Sequence, residues 1–109
     1  MASRDWYCEE VLSGKTEVKI VLEDDFVVAF HHPRPHAEIH VVVIPKKHVA
    51  SILDPSTLDG ILLTSMLRAM KKVAVSIGLD PAGLYGRTNA AGPGITPHMH
   101  WHINGPGIP

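Results

Sequence analysis

Apolar and polar positions form short β-like runs at the start of the chain and helical steps in its middle. Residues 19–23 (KIVLE), 26–32 (FVVAFHH) and 37–44 (AEIHVVVI) are rich in Val, Ile and Phe. Asp24-Asp25 separates the first two runs, Pro33-Arg34-Pro35 the next two, and Pro45 closes the third. Runs of this kind between turn residues predict three strands, and their short connections predict an antiparallel meander. Residues 5–12 (DWYCEEVL) predict a short N-terminal helix, followed by a turn at Gly14-Lys15.

The pattern changes at Asp54. Leu58, Ile61, Leu62, Met66, Ala69, Met70, Val73 and Ile77 recur at three- and four-residue steps. They form one apolar stripe on a helix of about six turns, read as packing against the sheet. Asp54 is the predicted N-cap, with Pro55 at the first helical position. Gly60 weakens the first turn, Gly78 is a natural stop, and Pro81 bars a restart. Residues 84–89 (LYGRTN) and 99–104 (MHWHIN) predict two more strands, joined by a Gly/Pro loop at 90–97. The fold class is therefore α+β: a five-stranded antiparallel sheet with one long helix and a short N-terminal helix, in a single domain over residues 1–109. One helix covers one sheet face, so the other face and the two sheet edges are candidate association surfaces.

Charge narrows the partners. With 10 basic and 11 acidic residues there is no bulk field for a long nucleic acid. The lone Cys8 excludes an internal disulfide, and the charged N-terminus (Arg4, Asp5, Glu9, Glu10) lacks a signal-peptide apolar region. No apolar run approaches a membrane span. The expectation is a soluble, cytoplasmic domain with no membrane partner.

Eight histidines change the picture. In His98-Met99-His100-Trp101-His102-Ile103, strand alternation puts the three histidines on one face, and Met99, Trp101 and Ile103 under the helix. The histidines then line an accessible face, with Cα atoms about 6.5–7 Å apart, room for a phosphate-sized group. A neutral imidazole attacks phosphorus without a strong base, and its neighbours can donate to the non-bridging oxygens. Gly92 and Gly94 could add backbone N–H groups. The spacing alone leaves three readings open: phosphoryl chemistry, a tri-histidine metal site, and histidines that satisfy buried polar partners.

A resemblance adds to this. The run His98–Ile103 resembles the signature of the histidine-triad (HIT) family. Glu23-Asp24-Asp25, Ala29-Phe30-His31 and His40-Val41-Val42-Val43-Ile44-Pro45-Lys46-Lys47-His48 resemble its upstream block in order and spacing, and Asn89 falls at its asparagine. Size and pairing pattern are most similar to the Hint (histidine triad nucleotide-binding) branch. The resemblance implies an α+β homodimer that binds purine nucleoside monophosphates or nucleotidyl conjugates. It implies hydrolysis or transfer at the α-phosphate, above all of nucleoside phosphoramidates, through a nucleotidyl-histidine, with no cofactor. By position it implies His100 as nucleophile, His102 on the phosphate oxygens, and His98 and His40 as supports. Asn89, Gly94 and Thr96 would contact the phosphate or leaving group. Phe30 and Val11, with Cys8, would wall the base, and His32 stands at the ribose position.

The chain departs from that pattern in four places. His32 replaces the usual Asp, and one imidazole cannot accept from two hydroxyls. The triad loop reads Gly92-Pro93-Gly94-Ile95-Thr96-Pro97, without the usual Gln and with Ile95 at the hydroxyl position. Asn104 replaces an apolar residue, and the C-terminal tail is short. These changes keep two alternatives in view: a non-catalytic purine-nucleotide-binding module, and a histidine-rich metal-binding protein. Some relatives hold zinc through two cysteines and two histidines. Here Asp5, Cys8, His48 and His98 are the matching but mixed set, while Cys8 alone reads as a small buried residue, so no resident metal is expected.

Overall fold

Three successive strands, β1 (Ile20–Glu23), β2 (Val27–His31) and β3 (Ile39–Pro45), form the expected meander in the computed structural model, which describes residues 5–35, 37–90 and 95–107. Strands β4 (Tyr85–Thr88) and β5 (Trp101–Gly105) complete an antiparallel five-stranded sheet in the order β1-β2-β3-β5-β4. β5 therefore lies between β3 and β4, and β1 and β4 are the edges.

Alternation along the strands sorts the side chains into two cores. Val27, Ala29, Val41, Val43 and Ile103 face the long helix α1 (Gly60–Ser76), where Leu62, Met66, Ala69 and Val73 supply the stripe. Met99 joins this core, and Trp101 packs at its margin. Val28, Phe30, Val42 and Ile44 face the other way. They pack against Tyr7 and Val11 of a π-helical turn, Tyr7–Leu12. The second sheet face, expected to lie open, is thus partly roofed by the N-terminal segment. Burying one large apolar side chain stabilises by about 1.5–3 kcal/mol, enough to hold so short a helix in place.

Local chemistry moves several boundaries. The helix expected from Asp54 is two elements. Asp54 caps a 3₁₀ turn, Pro55–Leu58, by accepting from the Ser56 N–H. Asp59 then turns extended (φ −63°, ψ 118°), and its carboxylate accepts from the N–H groups of Ile61 and Leu62. A second good cap inside the stripe restarts the helix at Gly60. Gly78 ends the run at φ 75°, a left-handed conformation that suits glycine. Pro81 does not bar a restart: it sits in the short helix α2 (Leu79–Ala82), within a first turn that needs no N–H donor there. β3 starts at Ile39, β4 is shorter than residues 84–89, and β5 begins at Trp101, so His98, Met99 and His100 precede the paired strand.

At its far end β5 meets α2. A Cβ on Gly105 would lie 2.6 Å from Leu79 Cδ2 and 3.0 Å from the Gly83 carbonyl oxygen. The backbone oxygen cannot swing aside as a side chain can. Gly105→Ala is expected to lower unfolding free energy by about 1–3 kcal/mol, read from urea denaturation. An unchanged midpoint would show that α2 moves freely from the sheet.

Candidate functional site

His98 is fully buried, and its ring bridges two parts of the chain. Its Nε2 lies 2.8 Å from the Pro45 carbonyl oxygen at the end of β3. A carbonyl only accepts, so Nε2 carries a proton and leaves Nδ1 for other partners. That Nδ1 faces the N-terminal segment, 3.1 Å from Asp5 Oδ2 and 3.3 Å from Cys8 Sγ. His48 closes the cluster, its Nδ1 2.6 Å from the same Asp5 oxygen and 3.7 Å from Cys8 Sγ.

The same logic fixes His100. Its Nδ1 lies 2.6 Å from the His98 carbonyl oxygen, so Nδ1 donates and the lone pair stays on Nε2. The Thr88 hydroxyl donates to the His100 carbonyl at 2.7 Å, tying this residue to β4. His102 pairs instead with β3. Register places Val42 opposite His102 and His40 opposite Asn104, and His40 Nε2 lies 2.7 Å from His102 Nδ1. With His40 as donor, His102 carries its own proton on Nε2 and can donate to an oxyanion. His32 stacks on His40 with ring centroids 4.4 Å apart.

The row is not the accessible surface expected from alternation. His100 and His102 are only 5% and 6% exposed, and the Tyr7 ring lies 5.0 Å from that of His100. Burial lowers the pKa of His100 below 6.5. Burial, and then the charges of His100, His40, Arg87 and His32, push His102 down to about 3. Both rings are therefore neutral at pH 7, the state a nucleophile needs. Burial and the nearby Asp5 carboxylate push the Tyr7 phenol up to about 12. Beside the row opens a cavity of about 510 Å³, lined by Trp6, Tyr7, Thr16, His32, Pro33, Arg34 and Thr96.

The sequence model of the HIT domain matches residues 13–106. The chain belongs to the HIT domain family. An uncharacterized HIT-like protein of Synechocystis is 32% identical to this HIT domain over 94% of this chain and 91% of its own length. Among solved structures, a histidine triad protein from Clostridium difficile superposes with a TM-score of 0.85 at 29% identity, covering 100% of this chain and 97% of that one. A HIT family hydrolase from Legionella pneumophila gives 0.81 at 35% identity, over 91% and 89% of the two chains. The five-stranded sheet, long helix and short N-terminal helix are thus the fold of the family.

Within this HIT domain the expected site residues separate into groups. His98, His100, His102, His40 and His32 come together on one sheet face, and Thr96 reaches the adjoining cavity. Val11 lines a second cavity, of about 320 Å³, on the same side of the sheet. Phe30 is fully buried beneath Tyr7, with ring centroids 6.1 Å apart, so it forms a floor and not an exposed wall. Asn89 is half-buried just after β4, and among the described residues it makes no hydrogen bond to the histidines. Gly94, with Gly92, lies outside the described residues. Cys8 belongs to the Asp5 cluster and not to a base pocket.

Among the described residues, two groups can hold a metal by geometry: Asp5, Cys8, His48 and His98, and separately His32, His40 and His102. The triad itself is divided between them, with His100 in neither, so its three rings do not converge on one ion. Sequence reasoning missed Tyr7, Asn104 and Arg87. Asn104 is buried, with an Oδ1 that has no partner, and its two-residue step from His102 already placed it on this face. Arg87 stands opposite His102 through a β4–β5 register that no local pattern encodes. Tyr7 packs there because a helical turn, four residues from Tyr7 to Val11, buries both side chains.

Proposed function

We propose that this HIT domain hydrolyses or transfers the nucleotidyl group of purine nucleoside phosphoramidates or related nucleotidyl conjugates, with His100 as nucleophile. One observation carries the reading. His100 Nδ1–H donates to the His98 carbonyl, which leaves a lone pair on Nε2 of a ring held neutral by burial. In the first step Nε2 bonds to the α-phosphorus and the P–N bond to the leaving amine breaks. The amine takes up a proton relayed through water or the Thr96 hydroxyl. His102 Nε2–H, held in that tautomer by His40, donates to a non-bridging oxygen as charge builds there. Water then attacks the same phosphorus, the P–Nε2 bond breaks, and the nucleoside monophosphate leaves.

A second reading, a purine-nucleotide-binding module without turnover, draws on one feature. Tyr7 packs over His100, so substrate must displace it before attack. The two readings separate in one experiment with a fluorogenic adenosine phosphoramidate. Amine release is expected from the wild type, with a loss of about 10³-fold or more in His100→Ala, while that variant still binds AMP. AMP binding without release in the wild type would favour the binding module.

The Asp5, Cys8, His48 and His98 cluster suits zinc, in our reading as a structural site. His98 Nδ1 already points into it, and one carboxylate, one thiol and two imidazoles form a donor set that zinc accepts. Four protein ligands leave no open position, so the ion would serve the fold, pinning the N-terminal turn to the residue that orients His100. Burial, then hydrogen bonding and the charge of Asp5, raise the Cys8 thiol to about 11, so it keeps its proton until a cation competes for the sulfur. Zinc added to chelator-treated protein is expected to bind at one per chain. At free zinc 100-fold above Kd it should stabilise the fold by about 2.7 kcal/mol, and Cys8→Ser should weaken this markedly. No uptake, or equal uptake by Cys8→Ser, would remove the site.

A further inference from the structure

The cavity beside the histidine row has an unexpected polarity. His32 Nδ1 accepts a hydrogen bond from the Arg34 backbone N–H at 2.9 Å. A ring nitrogen that accepts carries no proton, so the proton of the neutral ring sits on Nε2. That atom therefore cannot accept from a sugar hydroxyl, and a ligand oxygen that meets it must accept. Arg34 lines the same cavity with an exposed guanidinium, and among the described residues no carboxylate pairs with it. Among the described residues, none of those lining it is acidic. Thr16 of the lining donates its hydroxyl proton to Glu10 Oε1 at 2.9 Å. Trp6 and Tyr7 supply aromatic faces on the other side.

This arrangement selects against a diol and for an anion. Recognising two neighbouring hydroxyls calls for a carboxylate, whereas an arginine at such a position accommodates a phosphate instead. The cavity also lies one group away from the reacting centre, since the His32 and His102 ring centroids are 6.0 Å apart. A ligand with one phosphate on His100 and His102 would direct its next substituent towards His32 and Arg34.

We propose that this cavity takes a second phosphate of the bound nucleotide, held by the Arg34 guanidinium and the His32 Nε2–H. The inference rests on the nucleotide reading above and names its substrate class: nucleotides with two phosphates, not simple monophosphates. The second phosphate can sit on the sugar or be the next phosphate along a chain from the 5′ position.

Calorimetric titration with AMP, adenosine 2′,5′-bisphosphate, adenosine 3′,5′-bisphosphate and ADP tests it. At least one two-phosphate ligand is expected to bind about tenfold or more tightly than AMP, the scale of a charge-assisted hydrogen bond. A sugar bisphosphate as the tightest ligand places the second phosphate on the ribose, and ADP as the tightest places it in the chain. In Arg34→Gln, an exposed change that leaves the fold alone, the advantage over AMP should shrink to about twofold or less. His32→Asp should shift preference further towards AMP. Equal affinity for all four ligands, or an advantage that survives Arg34→Gln, overturns the second-phosphate site and leaves the nucleotide reading standing. Failure of all four to bind overturns both.

Discussion

One buried ring, His98, governs the geometry of everything around it. Its Nε2–H holds the Pro45 carbonyl at the end of β3, and its own carbonyl holds the Nδ1–H of His100. Because carbonyls only accept, the two bonds fix a proton on Nε2 of His98 and on Nδ1 of His100. The first turns His98 Nδ1 towards Asp5 and Cys8, and the second turns His100 Nε2 away from the backbone. The segment that carries both residues lies outside the paired part of β5, so sheet hydrogen bonds cannot hold it. Hydrogen bonds from the two rings do that work, with the Thr88 hydroxyl on the His100 carbonyl and the Met99 N–H on the Val49 carbonyl, and breaking the His98 bond would leave a carbonyl and an imidazole unsatisfied in the interior, at about 1–3 kcal/mol each.

Burial then sets the chemistry. Five rings and a Tyr crowd one sheet face, and a positive charge on His100 or His102 is penalised by lost water and by neighbouring charges. These two histidines are held neutral, in contrast to the ordinary histidine that titrates near 6.5. Neutral rings can divide the roles that phosphoryl transfer needs, one with a lone pair on Nε2 and one with a proton there. The roof that creates this burial is the short N-terminal turn, and its Tyr7 and Val11 belong to the same apolar cluster as Phe30 and Val42. Access to His100 and stability of the second core are therefore coupled through one helical turn. This follows from having only one long helix to cover two sheet faces.

Much of this was legible in the sequence. The β-branched runs gave the meander, the stripe from Leu62 to Val73 gave the helix, and alternation put Met99 and Ile103 in one core and the histidines on the opposite face. The cap expected at Asp54 for the long helix serves only the 3₁₀ turn, and the helix cap is Asp59, because an aspartate inside an apolar stripe resembles an exposed position until its backbone is seen to be extended. Long-range pairings were hidden for a different reason. The contact of His40 with His102 and the opposition of Arg87 to His102 depend on β5 entering between β3 and β4, which no local period encodes. The closure of the face by Tyr7 was hidden too, since a six-residue helix has no stripe long enough to show what it covers. The ring proton of His32 depends on a backbone contact with Arg34 that only three dimensions reveal.

The central claim is that His100 Nε2 becomes covalently nucleotidylated. It is tested most directly by mixing the protein with an adenosine phosphoramidate, denaturing it during turnover at neutral pH, and measuring the intact protein mass. The account predicts a population heavier by one adenylyl group, located to the peptide that carries His100 and absent from His100→Ala. Amine release with no such adduct, or an adduct that persists in His100→Ala, would contradict it.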